Sequence, residues 1–199
     1  MSEAAPIIRG EKIWLRGYRE EDLPVYEQFV TTQDAQWAGY SVPLSKDAIR
    51  DFYDKRLRGG HGSDEHFFVV CPLGSDEFIG TTWLWNFDSR LGGPEFSIFM
   101  HGPTRWGRGL GTDAINATLD YAYGFTEVDR IWLSTMAINE RGQRSFEKAG
   151  FSREGVVRHY EIYRGKPMDA VLMSILRADW EALDRPRSWE LGENPERES

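Results

Sequence analysis

"RWGRGLGTDA", Arg105 to Ala114, sets Gly107, Gly109 and Gly111 among Arg105 and Arg108, directly before a helix-like stretch. Glycine in a helix interior costs roughly 1 kcal/mol against alanine, and three alternating glycines exceed what a tight turn requires. The pattern fits a loop that brings backbone N–H groups close to an anion at a helix N-terminus. A P-loop would need a lysine after its last glycine, and none follows here. A dinucleotide fingerprint would need glycine at Thr112, although Asp129 does lie about 20 residues after Gly109. Groups able to move protons lie elsewhere: Glu95, then Ser134 and Thr135, then His159, Tyr160 and Glu161 in one run. If that run is a strand, alternation lets only one parity face a cleft.

The elements that must position these groups follow from periodicity. "KIWLRGY" (12–18) alternates as a strand does. "REEDLPVYEQFVTT" has acids and Pro24 at its start, as a helix N-terminus does. "SKDAIRDFYDKRLRGG" repeats the helix signal, with Ser45 as cap and Gly59-Gly60 as stop. "HFFVVC", "FIGTTWLWNF" and "PEFSIFMH" read as three strands joined by short turns, hence antiparallel neighbours. The glycine stretch opens a helix with Leu110, Ala114, Ala117, Tyr121 and Phe125 on one side. A strand "DRIWLSTMA", a short helix "NERGQRSFEKAG" and the strands "FSREGVVRHYEIY" and "MDAVLMSIL" complete the order. The fold class is α+β, with a mixed sheet in one domain. Residues 10–183 are read as that domain and 184–199 as a charged, disordered tail. A meander before the glycines and a hairpin after them argue against a dinucleotide-binding fold, which continues in parallel strands.

Composition narrows the partners. At 199 residues, 40% hydrophobic and 28% charged, the chain suits one globular domain. Its net charge of −8 disfavours nucleic acid and anionic membranes and leans toward an amine-bearing substrate. Cys71 is the single cysteine, so no internal disulfide forms and a reducing, cytoplasmic setting is expected. No run approaches the roughly 20 apolar residues of a membrane span, and the start has no signal-peptide shape.

Two motifs together resemble one family. "RWGRGLGTDAI" and, some thirty residues later, "NERGQRSFEKAGFSREG" are similar to the acetyl-CoA and C-terminal signatures of GNAT acetyltransferases, specifically the RimJ/RimL-type, ribosomal-protein N-terminal acetyltransferase branch. Gly109 and Gly111 match the first signature. Asn139, Phe146, Glu147, Lys148, Gly150 and Phe151 match the second. The resemblance spans roughly Gly10 to Leu183 and implies a mostly antiparallel sheet flanked by helices, with a splayed strand pair holding acetyl-CoA. Arg105, Trp106, Gly107, Arg108, Gly109, Leu110, Gly111 and Thr112 would take the pyrophosphate, a role that suits uncapped amides and a helix dipole. Met100 and His101 would offer backbone groups to the pantetheine arm, with Asn139, Arg144 and Phe146 completing the cofactor side. Asn139 also reads as a helix N-cap. Trp106 stands where the signature has Gln or Arg. The run from Glu95 to Pro103 is about one residue longer than in relatives, and a one-residue slip would turn its side chains to the opposite face. Phe146 stands where many relatives carry a tyrosine that protonates the leaving thiolate.

The implied reaction is attack of a neutral amine on the acetyl thioester, without a metal. A protein α-amine, pKa about 8, is roughly one-tenth neutral at pH 7, whereas a lysine-like amine is neutral in about one in 2,500. The second case makes a base matter more. Glu95 is expected as that base, acting through water oriented by Ser134, with Tyr160 as a catalytic acid. Trp83, Trp85 and Asn86 would line the acceptor cleft. A protein N-terminal α-amine leads as acceptor, followed by a polyamine or aminoglycoside, and the protein would be a monomer or homodimer. A CoA-binding sensor without turnover is the rival reading. A dinucleotide-dependent oxidoreductase is a distant third.

Overall fold

The computed structural model describes residues 8–31, 45–58, 64–87, 92–102, 107–163 and 165–192. Arg105 and Trp106 lie outside them. Eight strands form one sheet: β1 (Ile8–Arg9), β2 (Ile13–Arg16), β3 (Glu65–Pro72), β4 (Gly80–Trp85), β5 (Glu95–Met100), β6 (Arg130–Met136), β7 (Ser152–Tyr163) and β8 (Lys166–Leu176). Their spatial order is β1-β2-β3-β4-β5-β6-β8-β7, and β5–β6 is the parallel pair in an otherwise antiparallel arrangement. A mixed sheet is what the alternating runs lead us to expect, and its mostly antiparallel pairing with flanking helices is what the family resemblance implies.

Helices cover both faces. α1 (Leu23–Val30) and α2 (Lys46–Arg58) lie on one side, where Tyr26, Phe29, Ile49 and Tyr53 pack on Trp14, Val69, Cys71 and Phe78. Ser45 caps α2 as expected, its Oγ accepting the Ala48 N–H at 3.1 Å. α3 (Leu110–Phe125), α4 (Glu140–Lys148) and α5 (Arg177–Glu181) cover the other side. There Ile115, Leu119, Phe146 and Trp180 meet Phe96, Ile131, Leu133, Val171 and Met173. Each such apolar side chain contributes about 1.5–3 kcal/mol when fully removed from water. Among the described residues no helix is long and apolar enough to cross a membrane, and no group of His, Cys, Asp or Glu is clustered to hold a metal.

One expectation is corrected at the C-terminus. Residues 184–192 do not trail into solvent. Asp120 on α3, 2% exposed, accepts from the Trp180 indole at 2.9 Å, Arg185 at 2.7 Å and the Ser188 N–H at 2.8 Å. Trp189 then packs edge-on to Phe125 and Trp180. A buried carboxylate must be paired, and the segment read as a tail supplies the partners.

Candidate active site

The site begins where β5 and β6 part. Their pairing has one register position, Glu95 opposite Trp132, closed by the Trp132 N–H donating to the Pro94 carbonyl at 3.2 Å. Beyond it β5 stays with β4 over six residues and β6 stays with β8 over seven, so the inner edges diverge. Gly93 makes this closure possible. It has φ +135°, and a Cβ there would stand 1.9 Å from the Arg130 carbonyl oxygen.

Backbone groups turn into the gap at alternate residues. The His101 N–H donates to Ile79 O at 2.8 Å, which sets the phase of the β4–β5 ladder. Phe96, Ile98 and Met100 therefore direct their backbone groups toward β6, while Ser97, Phe99 and His101 face β4. This corrects the expectation for His101. Its amide is taken up by Ile79, and its ring stacks on Phe29 and Phe78, 4.7 and 4.9 Å between centroids, on the α1 side.

At the far end of the gap stands the N-terminus of α3. Gly107 and Gly109 have φ +77° and +81°, and Gly109 is an N-cap without a side-chain cap. The first helical bond is Asp113 N–H to Gly109 O at 3.0 Å, so the N–H groups of Leu110, Gly111 and Thr112 have no intrahelical acceptor. A Cβ at Gly107 would meet nothing within 4 Å, and one at Gly111 only Met100 Cγ at 3.7 Å. Packing inside the protein thus does not require glycine at 107 or 111. The left-handed φ accounts for Gly107, the open space at Gly111 leaves room for an anion, and with Arg108 beside them these donors fit a pyrophosphate.

On α4 the expectations divide. Asn139 is the N-cap, its Oδ1 accepting the Gly142 N–H at 3.1 Å while Nδ2 donates to Thr135 Oγ1 at 3.0 Å. Arg144 is exposed and pairs with Glu140 at 3.4 Å. Phe146 is corrected from a cofactor contact to a core residue, 7% exposed, with its ring edge-on to Phe96 and Phe151. The amphipathic face of α4 turns this position onto the sheet.

The opposite face of the splay carries the acid–base chemistry. Register places Glu95, Trp85, Trp132 and Ser134 on that face, together with Trp83, Ser97, Glu65 and Phe67. Trp83 and Trp85 are half-buried, and the Trp85 indole nitrogen is buried without a hydrogen-bond partner among the described residues. Asn86 follows at φ +62°, its N–H donating to Asp64 O at 3.1 Å. Glu161 reaches the same face through its pairing with Met168. Tyr160, expected as a catalytic acid, sits instead in the bulge between Val157 and Glu161, 46% exposed and one residue out of step with Glu161. Glu154, also on this face, is held by Arg130 at 2.7 Å and by Ser174 at 2.6 Å. Burial first, and the Glu161 carboxylate second, push the Glu95 carboxyl up to about 7. Next to this face, a cleft of about 790 Å³ between α2 and β3 has Asp51, Asp54, Asp64 and Glu65 among its walls, against Lys55 and Arg58.

A family model described as an acetyltransferase (GNAT) domain matches residues 12–152 of this chain. The chain is a GNAT acetyltransferase. Spermidine N(1)-acetyltransferase of Escherichia coli (strain K12) is 27% identical over 164 residues, 82% of this chain and 85% of the relative. Ribosomal protein uS5-alanine N-acetyltransferase of the same strain is 30% identical over a shorter stretch, 60% of this chain and 61% of the relative. The crystal structure of a spermidine N-acetyltransferase from Vibrio cholerae, in complex with CoA and spermine, superposes with a TM-score of 0.74 at 24% identity, covering 85% of this chain and 98% of that one. This GNAT enzyme is therefore an acetyl-CoA-dependent N-acetyltransferase acting on an amine. Its residues fit that cosubstrate at the uncapped α3 terminus and along the inner edge of β5. These comparisons establish the GNAT family and leave the RimJ/RimL branch expected from the motifs unconfirmed.

Proposed function

We propose that the enzyme acetylates a small amine with more than one cationic centre, of the polyamine class, with Glu95 as general base. The observation that carries this reading is the acceptor face. Glu95 lies half-buried at the splay point, raised to about 7, and shares its face with Glu161 and three tryptophans. A carboxyl poised near neutral pH takes a proton from an ammonium and still gives it up again. Glu161 offers a second anionic contact, which a one-charge acceptor would leave unmatched.

Acetyl-CoA supplies the acetyl thioester. The inner-edge backbone of Ile98 and Met100 would align that group, and the α3 terminus would hold the pyrophosphate. Glu95 removes the proton that keeps the acceptor nitrogen from attacking, directly or through a water oriented by Ser134. As the C–N bond forms and the C–S bond breaks, the nitrogen gives up a second proton, which satisfies the released thiolate. The first leaves Glu95 for solvent, so each turnover of an ammonium yields amide, thiol and one free proton. Phe146 carries no hydroxyl to deliver the thiolate's proton, so solvent or Glu95 completes that transfer.

A protein N-terminal α-amine is the second reading, favoured by the motif resemblance and by the shorter match to an alanine N-acetyltransferase. Thiol release with acetyl-CoA, measured on spermidine, spermine, aminoglycosides and N-terminal peptides, separates the two. The polyamine reading expects kcat/KM for spermidine to exceed that of any peptide by tenfold or more. Turnover of peptides without polyamines overturns it in favour of the second.

A further inference from the structure

We propose that Lys12 is a phosphate ligand for acetyl-CoA, delivered to the glycine loop from the far edge of the sheet. The inference builds on the acetyl-CoA site at the α3 terminus. The turn between β1 and β2 is clamped to the first turn of α3 by a single side chain. The Asp113 carboxylate accepts the N–H groups of Glu11 at 3.0 Å, Lys12 at 2.8 Å and Ile13 at 3.1 Å. Gly10 permits this approach, since a Cβ there would stand 2.3 Å from that carboxylate. Three backbone donors on one carboxylate also offset the charge that would otherwise repel a phosphate at this helix end.

With the turn fixed, the Lys12 ammonium reaches the loop. Nζ donates to the Arg108 carbonyl at 3.2 Å, and a Cβ at Gly109 would lie 3.1 Å from it. That bond uses one of three ammonium protons and leaves two donors over the glycines. Ordering a long, exposed side chain for one carbonyl contact returns little by itself. A phosphate gives the arrangement a purpose. The chain carries a net charge of −8, which repels a polyanionic cosubstrate at long range, so local cations must supply the attraction. Arg9, Lys12 and Lys148 line a cleft of about 300 Å³ beside the loop, whose carboxylates Asp113 and Asp120 are already held by internal donors, leaving Glu11 at the exposed turn.

Titration calorimetry on the full chain tests this, using acetyl-CoA and its 3′-dephospho analogue at low and high salt. Lys12→Met should weaken acetyl-CoA about tenfold at low salt, as expected for one charge-assisted hydrogen bond. The deficit should shrink as salt rises, and Lys12→Arg should bind within about threefold of the parent. Equal losses for both ligands place Lys12 on the pyrophosphate. A loss confined to acetyl-CoA places it on the 3′-phosphate. Unchanged affinity in Lys12→Met overturns the proposal. So does a deficit that ignores salt and is not restored by arginine, because that marks a loop brace rather than a phosphate ligand. Binding by the parent checks the cofactor site separately.

Discussion

Glu95 carries the sharpest consequence at the scale of a single residue. Its carboxyl is raised from 4.5 to about 7 in the folded protein, so between those values the native state holds more protons than the unfolded chain. Stability attributable to Glu95 therefore falls as pH rises from 4.5, and the full cost is present above 7. Glu95→Gln removes it. The cofactor-free variant should melt several degrees above the parent at pH 8, with a much smaller gain at pH 5. The upper bound is about 3 kcal/mol, since each tenfold change in proton affinity is worth about 1.4 kcal/mol. Equal gains at both pH values, read by thermal melts, would show that the strain is steric and not electrostatic. The same residue illustrates what one position in a chain does not reveal. Glu95 was legible as a strand-leading carboxylate, but its elevated pKa depends on burial at the splay and on Glu161, which is 66 positions further along.

Among elements, the parallel pair decides the site. Alternation in "FIGTTWLWNF" and "PEFSIFMH" was enough to place β4 and β5, and the glycines marked the start of α3. Short turns announced the antiparallel meander because local chain reversal fixes register. The divergence of β5 from β6 had no local signal, since it comes from two strands each held by an outer neighbour. Nor did sequence phase fix which residues of β5 face the gap, and His101 fell on the wrong side of that choice. Gly93 is where this geometry is most exposed to test. Gly93→Ala would place a Cβ against the Arg130 carbonyl at a left-handed φ, costing on the order of 1–3 kcal/mol and forcing the strand starts apart. The variant should show a lower melting temperature and kcat reduced at least tenfold. Its acetyl-CoA affinity should change less than its kcat, because the proposed pyrophosphate site is at the other end of the gap. Parental kcat in a folded Gly93→Ala enzyme would separate the closure from Glu95 positioning.

For the whole molecule, two chemistries sit at opposite ends of one splayed pair, and the sheet keeps them apart. Uncapped amides and cations gather at the α3 terminus, whereas carboxylates and tryptophans gather on the α2 side. The net charge of −8 is thus divided: it favours a cationic acceptor on one side and is locally reversed for an anionic cosubstrate on the other. The packing of α3 also draws on residues 184–192, whose Arg185 and Ser188 satisfy Asp120 in the middle of that helix. Their charge and prolines read as disorder because the buried acceptor that orders them lies more than sixty residues earlier. The most direct measurement is the pH dependence of kcat/KM for spermidine with saturating acetyl-CoA, parent beside Glu95→Gln. The parent should show an acidic limb near pH 7, and the variant should lose that limb and fall about 10²-fold at pH 7, with acetyl-CoA affinity unchanged. Equal kcat/KM for the two at pH 7 would contradict base catalysis by Glu95.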